Sequence, residues 1–449
     1  YRSLIGRSQR SCESAKIERN MNTFESVIAG KKVLVFGVGR QGGGTGDAKW
    51  LEQHGAIVKL SDRDVSIVPE GQTKAQIDWA DLIIKNPGVP DENDLIIYAK
   101  SLDKPVLTSI AVFVKYSSVK TIGVTGTRGK STTVALISAM LEKAHPNQVV
   151  TGGNIPGTSG LSLFDQLKGK SFVVLELSSF QLHNFHELKV SPNIAVITNL
   201  YPDHLNRYPS MAEYARDKQA IVMYQSQTDY TLFNRDNQGA FTIAQVSSGQ
   251  VSDYGTTDVA GWQTSLPGLH NRENIAAMSA LGAVLGIDRA IPPQTAKEFV
   301  GVPFRQQVVA QVKGVTYIND TTATTPTAAI KALQAATTPT IWITGGDTKN
   351  LPYDELIKEV ESNPHLKNIV ILGSKNIPAY TQALAQSAQA KILGTAMNMA
   401  EALSLAGSVA KEGDTILLSP GFASFDLFQN ECDRGRQFNE IVQDLASRI

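Results

Sequence analysis

An α/β fold in three domains is what this chain of 449 residues predicts. Three observations carry the prediction. Continuous apolar runs recur along the chain with helical stretches between them, as in parallel strands covered on both faces. Glycine turns directly follow two of those runs, at Gly37-Val-Gly39-Arg40-Gln41-Gly42 and at Gly126-Thr-Arg-Gly129-Lys130-Ser131. The length, finally, exceeds what one hydrophobic core organises.

Residues 1–20 are polar and charged, lack the apolar segment of a secretory signal, and precede the first methionine, Met21. Residues 1–30 are therefore expected to be a disordered extension outside the fold. Lys32-Val-Leu-Val-Phe36 reads as a strand, followed by the first glycine turn and a helical stretch around Trp50 and Leu51. Ile57-Val-Lys-Leu60 then reads as a second strand leading to Asp62, which makes a βαβ opening of Rossmann type with an acid about where a ribose contact sits. Taken alone this fingerprint is weak, because glycine turns recur in many α/β proteins; a dinucleotide-dependent oxidoreductase would rest on it and on nothing else. Asp81-Leu-Ile-Ile-Lys85 reads as a third strand and runs into Asn86-Pro87-Gly88-Val89-Pro90, where prolines and glycine enforce a turn. This Rossmann-like domain is set at residues 31–112.

The central domain, 113–302, opens on the second glycine turn. Thr121-Ile-Gly-Val-Thr125 reads as a buried strand and residues 132–141 as a helix with few breakers, so a lysine stands at a helix start after a glycine turn. Backbone N–H groups converge there, Lys130 adds positive charge and Ser131 offers a hydroxyl for magnesium, which together make a nucleoside-triphosphate cradle of P-loop type. The Walker pattern is met incompletely, since Val124 stands where it has a glycine. Residues 172–177 and 194–198 read as parallel strands ending in Glu176, Ser178 and Ser179 and in Asn199, Asp203 and His204. Ligands gather at the carboxyl ends of such strands, so these residues are expected to converge on the loop in a mostly parallel sheet. Glu176 suits magnesium, a hard cation that prefers oxygen. His204 reads equally as a metal ligand or a satisfied loop histidine, and Lys218, on a helical stretch, reads by default as a solvated charge. A third domain, 303–449 and again Rossmann-like, contains strands at 340–344, 368–373 and 415–419.

Composition excludes several classes. Basic and acidic residues balance at 42 each, which gives no electrostatic case for nucleic acid or a membrane surface. Cys12 and Cys432 are too few for a disulfide framework or a cysteine metal cluster, and no apolar stretch of ~20 residues spans a membrane. A cytoplasmic protein without nucleic-acid or membrane partners is the expectation.

Beyond these readings, the loop Gly126-Thr-Arg-Gly-Lys-Ser-Thr132, Gly152-Gly-Asn154-Ile, Glu176-Leu-Ser-Ser-Phe-Gln-Leu182, Asp203-His204, Tyr214 with Lys218, His270-Asn271-Arg-Glu-Asn274, Arg305, Asn319-Asp320 and Leu418-Ser-Pro420 with Ala423-Ser-Phe-Asp426 resemble the Mur ligases, in unbroken order from about residue 31 onward. With Asn86-Pro-Gly-Val-Pro upstream, the resemblance is to the branch that adds D-glutamate. It implies an ATP-dependent acid–amino-acid ligase of peptidoglycan precursor synthesis, monomeric, with UDP-N-acetylmuramoyl-L-alanine, D-glutamate and ATP as small-molecule substrates and two Mg2+ ions. It also implies roles. Lys130, Glu176, His204 and Lys218 are the catalytic set; Ser131, Glu176, His204 and a carbamylated Lys218 are the metal ligands. Gly126, Thr127, Gly129, Lys130, Ser131, Thr132, Asn271, Arg305 and Asp320 would contact ATP, and Arg40, Gln41, Arg63, Asn86, Asn154 and His204 the UDP substrate. Thr322, Thr324, Lys349, Ser424 and Phe425 would contact the incoming amino acid. The chain departs from the family pattern at Arg128 (usually asparagine), Phe304 (often histidine), Thr322 (a lysine), Glu431 (an aromatic residue) and Cys432 (glutamate). The last three put the acceptor amino acid in question, and a Mur-like or folylpolyglutamate-like ligase with another acceptor, or a nucleotide-binding pseudoenzyme, stays open at this point.

Overall fold

Each apolar run named above forms a strand, because runs rich in Val, Ile and Leu bury both faces of a parallel sheet. The computed structural model describes residues 24–39, 42–155, 158–204, 207–266, 268–348, 351–424 and 427–448. The chain divides into two compact units between Phe299 and Val300.

The first unit holds two sheets. One contains β1 (Lys32–Phe36), β2 (Ile57–Ser61), β3 (Leu82–Lys85) and β4 (Val106–Leu107) in the order β2-β1-β3-β4, all parallel. The other contains β5 (Lys120–Thr125), β6 (Val149–Gly153), β7 (Phe172–Glu176), β8 (Ile194–Ile197), β9 (Tyr230–Asn234) and β10 (Gln250–Tyr254) in the order β10-β9-β8-β5-β7-β6, again all parallel. Val35, Phe113, Phe164 and Val173 belong to one continuous buried cluster, so the two sheets share a core. The helices that matter to the site are α1 (Gly43–Gln53), α2 (Lys130–Ala144), α3 (Ser179–His183), α4 (Met211–Met223) and α5 (Leu269–Val284). Strand β5 lies between β7 and β8, so the order reverses there and a crevice opens beyond its carboxyl end.

The second unit holds one sheet, β11 (Gln307–Val312), β12 (Val315–Asn319), β13 (Thr340–Gly345), β14 (Leu366–Leu372), β15 (Ile392–Ala396) and β16 (Thr415–Gly421), in the order β11-β12-β16-β13-β14-β15. A long helix, α6 (Glu431–Ser447), follows it. Sequence periodicity missed the antiparallel pair β11–β12. Lys313 and Gly314, with φ of 51° and 76°, turn the chain in two residues, and β11 is a partly exposed edge strand without a continuous apolar run.

Candidate active site

The loop between β5 and α2 is held from below by side chains of other segments. Gly126 has φ of 151°, and a Cβ there would sit 1.9 Å from the Thr198 hydroxyl. Gly129 has φ of 82°, and its Cβ would meet Asn274 Oδ1 at 2.5 Å, so both positions require glycine. The Arg128 peptide is pinned twice over: its N–H donates to Asn199 Oδ1 at 2.9 Å, and its carbonyl accepts from Thr198 Oγ1 at 2.7 Å and Asn199 Nδ2 at 3.1 Å. Helix α2 then starts at Lys130 without a side-chain cap, which leaves its first N–H groups for an anion. Ser131 and Thr132 lie in that first turn. Val124, the departure from the Walker pattern, is a fully buried strand residue, so the turn begins only at Gly126.

Oxygen donors stand beside this loop. Glu176, buried at the carboxyl end of β7, accepts a 2.5 Å hydrogen bond from Ser131 Oγ and a 3.1 Å bond from Asn154 Nδ2. Strand pairing explains the meeting, since Glu176 is in register with Val124 of β5 and Gly153 of β6. A hydroxyl and a carboxylate fit magnesium by charge and hardness. Among the described residues no group of three His, Cys, Asp or Glu side chains gathers as metal ligands.

Two lysines share one acceptor. Lys130 Nζ and Lys218 Nζ each donate to the Gly126 carbonyl at 3.0 Å, and Lys130 also reaches the Thr127 carbonyl at 3.2 Å. Lys218 is not the surface charge its helix suggests: it is 1% exposed, with its ammonium nitrogen 4.8 Å from the centre of the Tyr214 ring. Burial, reinforced by the neighbouring Lys130 charge, drives its pKa well below the usual lysine range. Tyr214 also meets Thr127, hydroxyl to hydroxyl at 3.3 Å, and its ring lies 6.1 Å from that of His204. His204 is exposed, has φ of 55°, and packs edge-on against Phe180 at 5.1 Å. Contacts thus link Lys130, Lys218, Tyr214 and His204 around the loop, with Ser131, Glu176 and Asn154 beside them.

Along the first unit runs a cavity of about 540 Å³, lined by Gly39, Gly43, Asn86, Asn154, Ser178 and Phe180 among others. It joins the glycine turn after β1 and the Asn86 turn after β3 to the Asn154 loop of the second sheet. Asp62 is turned to local work, accepting from the N–H groups of Gly39 and Asp64 at 2.8 and 2.9 Å. Arg63 is exposed and off this wall. Arg40 and Gln41 lie outside the described residues.

Of the other residues singled out, Asn271 sits in the first turn of α5, where its side-chain oxygen accepts from Asn274 Nδ2 at 3.3 Å. In the second unit, Arg305 is exposed, and the Asp320 carboxylate accepts from the Gln306 N–H at 3.1 Å and Ser419 Oγ at 3.0 Å. Thr322 Oγ1 donates to the Phe304 carbonyl at 2.9 Å, and the Thr324 N–H donates to the Thr322 carbonyl at 2.9 Å. Ser424 is 3% exposed, and its hydroxyl has no hydrogen-bond partner among the described residues. Lys349 and Phe425 lie outside the described residues.

Sequence reading missed a clasp at one wall of the first unit. His183, at the end of α3, lies between two carboxylates, with Nδ1 2.9 Å from Asp217 and Nε2 3.3 Å from Asp91. Asp91 also pairs with Lys85 and Lys100. Hydrogen bonds to Asp217 and Asp91 raise the His183 pKa to about 9. A raised cation pKa stabilises the fold fully below about pH 6.5, the unfolded value, and loses that contribution as pH rises through about 9. Above that pH a neutral ring donates to only one carboxylate and turns a lone pair on the other. The Tm gap between wild type and His183→Gln is therefore expected to narrow steadily from pH 6.5 to 10 in thermal melts. A gap independent of pH would refute the charged clasp.

Sequence comparison completes the picture. A model of the Mur ligase middle domain matches residues 124–275, and one described as the Mur ligase, glutamate ligase domain matches residues 304–422. The UDP-N-acetylmuramoylalanine--D-glutamate ligase of Roseiflexus sp. (strain RS-1) is 31% identical over 93% of this chain and 100% of its own length. The ligase of the same name from Symbiobacterium thermophilum is 34% identical over 82% of this chain and 84% of its own. Among solved structures, the UDP-N-acetylmuramate-alanine ligase of Thermotoga maritima aligns with a TM-score of 0.55 at 18% identity, over 92% of this chain and 99% of that one. The MurF ligase of the same organism, in complex with ADP, aligns at 0.53 and 17%, over 95% and 97%. At these identities the structural likeness speaks to fold.

Proposed function

This chain belongs to the Mur ligase family, and on that premise we propose how its residues carry the reaction. It is an ATP-dependent ligase that adds D-glutamate to UDP-N-acetylmuramoyl-L-alanine in peptidoglycan precursor synthesis, and it uses Mg2+. The observation that supports the mechanism is the meeting of an uncapped helix start, two lysines on one loop carbonyl and a Ser131–Glu176 pair at the carboxyl ends of β5 and β7.

The L-alanine carboxylate is a poor electrophile until it is phosphorylated. One of its oxygens attacks the γ-phosphorus of ATP, the bond to the β–γ bridging oxygen breaks, and ADP leaves with that electron pair. The D-glutamate amine then attacks the acyl carbon, loses a proton and displaces inorganic phosphate. The loop N–H groups and Lys130 hold the phosphates, and Ser131 with Glu176 would hold magnesium. Bound there, the metal would offset charge on the transferring phosphoryl group. Lys218 is the proposed carbamate: burial disfavours its ammonium form, and the neutral amine adds to CO2 with loss of one proton to give an anionic oxygen ligand. With His204 it would hold the second ion. Asn86 and Asn154 on the shared cavity would bind the UDP-sugar, together with Arg40, Gln41 and Arg63. Asn271, Arg305 and Asp320 are proposed nucleotide contacts, and Thr322, Thr324, Lys349, Ser424 and Phe425 acceptor contacts; the Ser424 hydroxyl, buried without a partner among the described residues, supports the latter. A cytoplasmic monomer is the proposed form; among the described residues no helix is long and apolar enough to cross a membrane.

ADP release tests the reading. With UDP-N-acetylmuramoyl-L-alanine present, D-glutamate should stimulate it, and L-glutamate, D-aspartate and glycine should not. Stimulation by another amino acid would move the acceptor assignment, to which Thr322, Glu431 and Cys432 already draw attention. No release with any acceptor would indicate a pseudoenzyme.

A further inference from the structure

The phosphate loop carries a cation that the mechanism above does not use. Arg128 stands two residues before Lys130, between two glycines whose neighbours Thr198 and Asn274 fill the space a side chain would need. Three hydrogen bonds, one donated by its N–H to Asn199 and two accepted by its carbonyl from Thr198 and Asn199, hold its backbone, so the side chain leaves a rigid root. The residue is exposed, and among the described residues its guanidinium enters no hydrogen bond, ion pair or ring contact. Lys130 and Lys218 both donate back to carbonyls of the loop itself. Arg128 is thus a cation rooted in the turn whose own N–H groups are arranged for phosphate, and no carboxylate among the described residues pairs with it.

We propose that Arg128 grips the γ-phosphate of the bound nucleotide and makes this loop discriminate ATP from ADP. The proposal rests on the ligase reading above. A guanidinium presents paired donors that match two phosphoryl oxygens at once. As the carboxylate oxygen bonds to the γ-phosphorus and the bridging oxygen leaves with ADP, charge spreads over the three γ-oxygens, where a fixed cation has most effect.

Arg128→Asn and Arg128→Lys test it, measured by calorimetry with a non-hydrolysable ATP analogue and with ADP, and by KM for each substrate. Because the side chain is exposed and makes no hydrogen bond, ion pair or ring contact among the described residues, both variants should fold, and an unchanged KM for the UDP substrate reports that they have. Arg128→Asn should weaken the ATP analogue about tenfold, as expected for losing a bidentate charged contact, and shift ADP by less than about twofold. Arg128→Lys should recover part of the loss, keeping the charge without the fork. Equal weakening of both nucleotides, or no change in either, would overturn the γ-phosphate assignment while leaving the ligase reading intact. A wild-type protein that binds neither nucleotide would overturn both.

Discussion

Lys218→Ala is expected to reduce turnover by about 10²–10³-fold, the scale for removing one preorganised electrostatic group from an active site. The residue is 1% exposed, its nitrogen bonds to the Gly126 carbonyl, and Lys130 donates to that same oxygen. An ammonium in this position would face a second cation in a dry pocket, which burial disfavours strongly. A neutral amine avoids the repulsion, and its carbamate reverses the sign of the charge. CO2-depleted buffer should therefore slow the wild-type enzyme and bicarbonate restore it, whereas Lys218→Ala should be indifferent to both. Intact mass under mild conditions should show one added CO2 that Lys218→Ala lacks. Activity within tenfold of wild type in Lys218→Ala would remove the residue from the mechanism. A CO2-insensitive wild type would keep the amine but discard the carbamate.

The second large effect is expected in the other unit and concerns stability. Arg434 is completely buried near the start of α6, donating from Nε to Thr321 Oγ1 at 2.9 Å, from Nη2 to the Thr321 carbonyl at 2.9 Å and from Nη1 to the Phe422 carbonyl at 3.2 Å. It forms no ion pair with any described residue, and burial lowers its pKa to about 9. Thr321 in turn donates to the Glu431 carbonyl at 3.0 Å, so one guanidinium joins the end of β12, the segment after β16 and the helix start. Arg434→Ala would orphan two buried carbonyls and leave a cavity, at about 3–5 kcal/mol. Arg434→Met should lose less, because it refills the volume, and Arg434→Lys should rescue poorly, since one ammonium cannot reproduce three diverging bonds. Chemical denaturation followed by fluorescence of Trp342, fully buried in this sheet, would measure the change. A loss below about 1 kcal/mol for Arg434→Ala would show that water or a shift of the chain replaces the guanidinium.

Much of the candidate site's geometry was legible because the information is local. A strand, a glycine turn and a lysine at a helix start are consecutive residues, and the cradle they form depends on backbone geometry that neighbours dictate. Glu176 was legible for a similar reason: it closes an apolar run, and strand ends collect ligands. The supports of the loop were less so. Thr198, Asn199 and Asn274 lie 69 to 148 residues from Gly126–Gly129 along the chain, roughly, and reach it only because β8 pairs with β5 and α5 packs against α2. The clasp at His183 is built from Asp91 on one element and Asp217 on another, and no spacing rule links the three.

What the amino-acid order determined by itself was the alternation of elements, the position of the phosphate loop and the membership of the chain in its family, since periodicity and turn chemistry reside in neighbouring residues. Tertiary structure alone decided the surroundings of each charge. Lys218, Arg128 and Arg434 are all cations on paper, yet one has its ammonium form disfavoured by burial, one is left exposed on the glycine loop, and one becomes an internal strut. The reason is that a side chain's charge and role depend on how much water distant segments exclude from it, a quantity that exists only once the chain has folded.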